Sequence, residues 1–278
     1  MTERIERAHA LMIEGELEEA ATYVRDWYDR SRSPAEGALY LSLELAMLDW
    51  AGAAATTEEL RSVAPHLGAL LDRVTSSAHA DRERHARASD PGLAGTRQGF
   101  APPPPTSLLY ARAERAHVSG DFVGAKAALD EIARVRPKVR GTLTTTSGAS
   151  LRFADLVDAD DLTGAIFPVF HQGRVYDLPL ADLASLELLP KADPFHWLWP
   201  SASFVAKGGT PRGTVAFPAL YVGSARQRAG AIRAGRTTVF DHQLGYAVAA
   251  GLRDFWVTEE GGGKRLMGLG HFAKIEID

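Results

Sequence analysis

Cysteine is absent from the 278 residues of the chain. Its absence excludes disulfides, thiolate metal sites and cysteine nucleophiles. It also fits a protein of the reducing cytoplasm, and we therefore predict a cytoplasmic location.

Long apolar runs are also missing. The amino terminus, MTERIERAHALMIEGELEEA, is charged from residue 3 onward and lacks the apolar core of a signal peptide. No run approaches the roughly 18 apolar residues that a membrane span requires. We therefore predict a protein that is not exported through a cleaved signal and that has no membrane partner.

An excess of positive charge is lacking as well. Lys and Arg total 31 against 35 Asp and Glu, which gives a formal net charge of −4. Because nucleic-acid binding needs a concentrated excess of Lys and Arg, we predict that nucleic acid is not a partner. The 45% hydrophobic and 24% charged content is that of a globular protein, and the length favours two domains.

The amino half is dominated by apolar residues at helical spacing. Such a pattern runs over residues 3–30 with a break at Gly15, and it returns over 107–136 with a break at Gly120. Each glycine is followed by an acidic residue and then, four positions later, by an alanine, Ala20 or Ala125. We infer an internal repeat of helical hairpins that resembles tetratricopeptide repeats.

A third hairpin is predicted between these two. Residues 36–49 read as a helix, Gly52 interrupts the pattern, and Thr56 with Glu59 has the spacing of a capping box for a helix that reaches Leu71. The polar stretch 78–87 would extend this helix as a solvated segment. Prolines and glycines over residues 91–105 then predict a linker, as a polyproline II spacer or a mobile loop.

From Gly141 the pattern changes to β-formers alternating with turns. Hairpins are predicted around Gln172–Gly173 and over residues 207–210, with a short helix over 181–187 and a closing strand over 268–277. The predicted fold is α+β: TPR-like helical hairpins in a domain over residues 1–137, with the linker at about 89–106, and a mixed α/β domain over 141–278.

Candidate catalytic and metal-binding groups each have a simpler explanation. The carboxylates of Asp155, Asp158, Asp160 and Asp161 lack the spacing of a calcium loop, and the GGGK segment at 261–264 lacks the rest of a phosphate loop. His171, His196, His242 and His271 have no metal-ligand spacing, and Ser224 has no nucleophile elbow. We therefore predict no catalytic residues, no metal and no cofactor.

Aromatic and arginine side chains in the carboxyl half suggest a protein interface instead. Trp197 and Trp199 lie in the segment DPFHWLWPS, on opposite faces if this segment is a strand. Arg233 and Arg236 lie in AIRAGRTT and could bind a carboxylate of a partner, or could pair with the aspartates of 155–161. With Tyr221 of the FPALY segment, these are the predicted partner-binding residues.

Several motifs of the carboxyl half occur together in the order found in one known family. They are DADDLTG at 158–164, YDLP at 176–179, DPFHWLWP at 193–200, FPALY at 217–221, GRTT at 235–238 and GLRDFW at 251–256. With the helical repeats before them, they resemble the ImpE family, also called TagJ or SciE, an accessory component of bacterial type VI secretion systems.

This resemblance implies a cytoplasmic, non-catalytic adaptor. It implies binding to an amphipathic helix near the start of the small contractile-sheath subunit, TssB, and through that contact an influence on sheath handling by the ClpV ATPase. The family supplies no catalytic residues to carry over to this chain.

Two alternatives remain open from the sequence. The first is a hydrolase or a sugar- or nucleotide-handling enzyme that uses the acidic cluster Asp155–Asp161 with His171 or His242. The second is a structural protein whose helical repeats dock another component while the carboxyl half only caps them.

Overall fold

The computed structural model describes residues 2–96, 98–100, 104–191 and 193–278. Helices occupy the amino half and an antiparallel sheet occupies the carboxyl half, which confirms the predicted α+β class. The longer helices are α1 (Thr2–Glu14), α2 (Leu17–Ser31), α3 (Pro34–Ala46), α4 (Trp50–Val63), α5 (Gly68–Arg87), α6 (Pro105–Val118) and α7 (Phe122–Val135).

Three helix pairs share one turn geometry. The turn residues Gly15, Leu48 and Gly120 all have positive φ, of 87°, 60° and 80°. In each turn the N–H of the next residue donates to the carbonyl five positions back, as in Glu16 to Leu11. The repeat predicted between the first and last pairs therefore has a structural counterpart, while its identity as a tetratricopeptide repeat stays a prediction.

The middle pair was assigned wrongly from the sequence. Leu48 takes the left-handed position expected of a glycine, and Gly52 lies inside the first turn of α4, where its N–H donates to the N-cap residue Asp49 at 3.0 Å. Thr56 is a mid-helix residue and caps nothing. Ala53, four residues after Asp49, occupies the buried position of Ala20 and Ala125.

The α5 helix departs from its predicted environment. Pro65 ends the preceding helix, and a single 3₁₀ turn over Pro65–Leu67 leads into α5. The polar stretch 78–87 is helical as predicted but not solvated, because Ala80, Asp81, Arg84 and Arg87 are buried where α5 packs on the sheet.

One ten-stranded antiparallel sheet organises the carboxyl half. Its order is β11-β10-β2-β1-β12-β5-β6-β7-β3-β4. The strands are β1 (Gly141–Thr145), β2 (Ser150–Asp158), β3 (Ile166–His171), β4 (Arg174–Pro179), β5 (Leu183–Leu188), β6 (Ser201–Ala206), β7 (Arg212–Ala216), β10 (Asp254–Glu259), β11 (Lys264–Gly268) and β12 (Phe272–Ile277). A separate pair, β8 (Val239–Asp241) and β9 (Val248–Ala250), follows the short helix α8 (Gly230–Arg233).

Most predicted elements of this half are present. The β3/β4 hairpin turns at Gln172–Gly173, with φ of 49° and 75°, and β6/β7 turns over 207–210. The helix predicted over 181–187 is wrong: a 3₁₀ turn over Leu180–Asp182 leads directly into β5. The segment with Trp197 and Trp199 forms turns and is not a strand.

The segment predicted as a linker or loop at about 89–106 lies between α5 and α6, and where the structure describes it, it consists of turns and irregular backbone. Gly99 forms a parallel bridge with Asp177 of β4, and the Phe100 ring stacks on Tyr176 with centroids 4.6 Å apart. Pro105 begins α6. Residues 97 and 101–103, which include part of the proline run, lie outside the described residues.

The hydrophobic core crosses from one half to the other. One buried cluster lies within the sheet half, but another joins the helices α1 to α5 with Phe170, Trp199 and Ala234 of the carboxyl half. The predicted boundary at 137–141 falls between α7 and β1. Division into two separately folding domains stays a prediction.

Candidate functional site

An apolar cleft of about 610 Å³ runs beside α1, and we call it the α1 cleft. One wall is formed by His9, Met12 and Ile13 of α1, whose spacing places them on one helix face. The opposite wall comes from the carboxyl half, with Leu188, Trp197, Leu220, Ala234, Arg236, Leu252 and Leu269. Both halves of the chain therefore build this surface.

A second apolar cleft, of about 570 Å³, continues the first along α1. The two share His9, Leu39 and Pro194 as lining residues, and the second adds Ile5. From Ile5 to Ile13 the clefts follow α1 for roughly 12 Å, or about two helical turns. Ile13, on the wall of the first cleft, is 54% exposed.

Trp197 is the aromatic side chain of the α1 cleft. It is half-buried, and its indole Nε1 is enclosed without a hydrogen-bond acceptor in the part of the chain that the structure describes. An indole N–H enclosed in this way normally finds an acceptor, since leaving one unpaired costs about 1 to 3 kcal/mol. The arrangement gives Trp197 an unused donor at the edge of an apolar surface.

Positive charge lies at the rim of the α1 cleft. Arg236 is exposed, and its side chain has no ion-pair partner among the described residues. Lys191 is also exposed and lines the same cleft. Nearby, the carboxylate of Asp193 forms an ion pair with Arg73, whose Nη2 lies 2.6 Å from Asp193 Oδ2. The rim therefore offers cations, whereas its acidic residue is already paired.

Two glycines approach each other closely at the end of α1. Gly15 ends α1 and Gly230 begins α8, and a Cβ on Gly15 would lie 2.1 Å from the carbonyl carbon of Gly230. Beside this contact, Arg233 Nη2 donates to Glu18 Oε1 at 2.5 Å. Arg233 thus joins α8 to α2, and it lies outside the lining of the α1 cleft.

Trp199 and Tyr221 lie in the interior, away from the cleft. The Trp199 Nε1–H donates to Asp81 Oδ2 at 3.0 Å, and the Tyr221 hydroxyl donates to Asp158 Oδ1 at 2.8 Å. The structure therefore brings Trp197 and Arg236 together at one surface and uses Trp199, Tyr221 and Arg233 for internal contacts.

The carboxylates of the acidic cluster Asp155–Asp161 form ion pairs and hydrogen bonds within the protein. Arg136 holds both oxygens of Asp155, at 2.9 and 2.6 Å, and Arg253 is paired with Asp158 in the interior. Burial alone would raise the pKa of Asp155, but the bonds from Arg136 outweigh it and keep that pKa below its usual value. Neither Arg233 nor Arg236 pairs with these aspartates.

Asp160 and Asp161 support backbone instead of a ligand. Asp160 accepts N–H bonds from Leu162 at 2.9 Å and Ala249 at 2.8 Å, and Asp161 accepts one from Ala247 at 2.6 Å. Burial raises the pKa of Asp160 to about 7, and the nearby Asp158 carboxylate adds to that rise. These bonds agree with the turn-capping explanation drawn from the sequence.

The predicted catalytic alternatives find no converging geometry in the residues described here. His171 packs against Phe100 and Tyr176, and Ser224 Oγ bonds the backbone of Gly251. No group of three or more histidine, aspartate or glutamate side chains in the described residues is arranged to hold a metal ion. The glycines of the GGGK segment form the turn between β10 and β11.

Sequence reasoning missed Arg136, Arg253 and the buried face of α5. Arg253 was visible only as part of the GLRDFW motif, and its partner Asp158 is 95 residues away. No local sequence pattern predicts a pair of residues so far apart.

Within the described parts of the chain, none of the helices has the length and apolarity that a membrane span requires.

Comparisons with known proteins agree with the fold and the family. The crystal structure of protein VPA1032 from Vibrio parahaemolyticus superposes with a TM-score of 0.81 over 98% of this chain and 97% of that chain, at 17% identity. That likeness shows a shared fold. No curated protein matches the chain. Residues 150–267 match the family model described as ImpE protein, which confirms that this part of the chain resembles the ImpE family, a family related to bacterial type VI secretion.

Proposed function

We propose that the chain is a non-catalytic adaptor of a type VI secretion system that binds the amino-terminal amphipathic helix of the small sheath subunit in the α1 cleft. The observation that carries this proposal is the apolar cleft along α1, with Trp197 on its wall and Arg236 at its rim. The match of residues 150–267 to the ImpE family model supports the secretion context.

The chemistry of the cleft suits the apolar face of a helix. Helix-in-groove recognition places side chains at positions i, i+3, i+4 and i+7 of the guest helix into an apolar channel. The two adjoining clefts extend about two turns along α1, which matches the span of such a set of anchors. Trp197 supplies the large aromatic surface that commonly dominates binding at interfaces.

The charges at the rim favour an acidic polar face on the guest helix. Lys191 and Arg236 are exposed and would meet carboxylates as the helix enters. Exposed charges of this kind contribute mainly to orientation and to the rate of association. The guest helix is thus expected to carry its acidic residues beside the apolar stripe.

A calorimetric titration tests the proposal. A synthetic peptide of the first helix of the small sheath subunit should bind the full chain with a negative heat-capacity change, because apolar surface is buried. Absence of binding at about 100 μM, a free energy near −5.5 kcal/mol, would exclude this partner.

Matched variants locate the site. Trp197→Ala should weaken the peptide at least tenfold, while Val123→Ala, which trims an 83% exposed side chain on α7, should leave binding unchanged. Arg236→Glu should weaken binding more than Arg228→Glu, since Arg228 is exposed in the same basic segment but lies outside the cleft. If the two variants of each pair changed peptide affinity equally, the peptide would bind outside the α1 cleft.

The same contact would let the adaptor influence sheath handling by ClpV. A guest helix bound in the α1 cleft is not available to other proteins that bind the same helix, so the adaptor would compete with them by mass action. Disassembly of purified sheaths by ClpV should therefore change when the adaptor is added, and the Trp197→Ala variant should reduce that change. A change of equal size with the variant would separate the ClpV effect from the cleft.

The enzyme alternative receives no support from the acidic cluster. Asp155 and Asp158 are paired with arginines, and the oxygens of Asp160 and Asp161 accept backbone N–H bonds. The structural alternative differs in its dependence on the carboxyl half. Because the α1 cleft needs both halves, a protein truncated after Pro137 should lose the peptide under our proposal and retain its partner under that alternative.

A further inference from the structure

A cavity of about 180 Å³, lined by both charged and apolar residues, lies between the helices and the sheet, apart from the α1 cleft. It is lined by the carboxyl ends of α5 and α6, by β3 and β4, and by the segments around Tyr221 and Val248. Of the described residues, four arginines line it, namely Arg84, Arg87, Arg226 and Arg253.

Arg87 is the residue that makes this cavity unusual. The residue is 4% exposed, and among the described residues neither Nε nor Nη1 has a hydrogen-bond acceptor although both are enclosed. The remaining nitrogen, Nη2, lies 3.8 Å from Glu114 and 3.9 Å from Asp177, which is too far for a hydrogen bond. Buried charged donors are costly when unpaired, so they normally have a protein, water or ion partner.

The other buried guanidiniums of the cavity are already satisfied. Arg84 bonds Asp81 and the carbonyl of Leu220, and Arg253 bonds Asp158 and the carbonyl of Pro218. Burial lowers the pKa of Arg84, and the positive charges of Arg253 and Arg87 lower it further although Asp81 opposes them. Arg253 and Arg87 are thus close enough to Arg84 for their positive charges to act on it.

Acidic and apolar groups also face the cavity. The carboxylates are Glu114, Asp160 and Asp177. Glu114 accepts an N–H bond from Gly95 at 3.3 Å, and both oxygens of Asp160 accept backbone N–H bonds. The rest of the wall is largely apolar and includes Val118, Leu162, Ile166, Pro168, Val175 and Val248. A compact anion with an apolar body matches this combination.

We propose that this cavity is a binding site for a small organic carboxylate, anchored by the guanidinium of Arg87 with its apolar body against the α6 and β3 walls. The volume suits such a guest, because a cavity of about 150 Å³ accommodates benzene. Arg226, which is exposed at the cavity, adds a second cation for the carboxylate.

Fluorine NMR of the full chain with 4-fluorobenzoate tests the proposal. The signal should broaden and saturate with a dissociation constant below about 10 mM, whereas the uncharged 4-fluorobenzamide should not bind. Saturating 4-fluorobenzoate should also raise the melting temperature, because the ligand binds the folded chain.

Two variants assign the binding to the cavity. Arg87→Met should abolish binding of 4-fluorobenzoate. If that variant does not fold, Val118→Phe, which fills the cavity from a half-buried position on α6 and keeps every arginine, should reduce binding at least tenfold. Binding that persists in the Val118→Phe protein would overturn the assignment.

Two other outcomes would also overturn it. Equal binding of the acid and the amide would show that charge is not recognised. No binding of 4-fluorobenzoate up to about 10 mM would leave ordered water as the partner of Arg87, since a site of this size holds several waters.

Discussion

The indole of Trp199 donates to the carboxylate of Asp81 across 118 residues of sequence, at 3.0 Å. This bond joins the turn before β6 to the middle of α5. Because the second oxygen of Asp81 is held by Arg84, the three side chains form one buried network between the helices and the sheet.

Replacing Trp199 by phenylalanine should destabilise the protein by about 1 to 3 kcal/mol, because one buried oxygen of Asp81 loses its donor. Trp197 provides a matched control on the same segment. Its Nε1 has no acceptor among the described residues, so Trp197→Phe breaks no hydrogen bond and should destabilise the protein less than Trp199→Phe. Urea unfolding of both variants measures this, and equal losses would contradict the hydrogen-bond assignment.

Replacing Arg253 by methionine should cost about 3 to 5 kcal/mol, since the carboxylate of Asp158 would be left buried without its cation. The exposed pair of Arg30 and Asp26, at 2.7 Å, supplies the comparison. Arg30→Gln should alter stability by about 0.5 kcal/mol or less, because solvent screens that pair. Thermal and urea unfolding of both variants test the contrast, which fails if Arg253→Met unfolds like the wild type.

Substituting alanine for Gly15 should both destabilise the chain and weaken peptide binding in the α1 cleft. The new Cβ would meet the backbone of Gly230, so α8 must move relative to α1. Gly120 has a similar φ but no atom within 4 Å of an added Cβ, so Gly120→Ala should cost only about 1 to 2 kcal/mol. Calorimetry should show normal peptide affinity for Gly120→Ala and reduced affinity for Gly15→Ala, and equal affinities would refute the link.

His85 should make stability depend on pH below neutrality. Burial lowers its pKa to about 4, with the positive charges of Arg84 and Arg226 contributing and Asp81 opposing. Because the folded pKa lies below the ordinary value of 6.5, the contribution is complete above pH 6.5 and is lost as the pH falls toward 4. The wild type should therefore lose up to about 3 kcal/mol more over this range than His85→Gln.

Chemical unfolding at several pH values gives that difference directly. Parallel curves for the two proteins would mean that His85 is protonated as easily in the folded chain as in the unfolded chain.

Local signals predicted the elements that local forces determine. The turn at Gln172–Gly173 and the helix break at Gly15 both depend on positive φ, which glycine adopts at little cost. The middle hairpin was misassigned because Leu48 occupies the same left-handed position without being glycine. The helix break was therefore predicted at the nearby Gly52, although it lies at Leu48.

Long-range contacts explain what the sequence did not predict. The polar face of α5 is buried because Asp81 and Arg84 find partners more than 100 residues away, at Trp199 and Leu220. Of the predicted interface residues, Trp197 and Arg236 share the α1 cleft, whereas Trp199 bonds Asp81 in the interior. Residue type favoured an interface equally for both tryptophans, and only the tertiary fold distinguishes them.

The contact between Gly15 and Gly230 has a practical consequence for splitting the molecule. These two positions, 215 residues apart, both have to be glycine for the end of α1 to pack against the start of α8. Correct packing of either segment therefore depends on the other. If the chain is cut between Pro137 and Gly141 and the two pieces are produced as separate polypeptides, they should reassemble into one complex. A bulky residue at either glycine should block that reassociation.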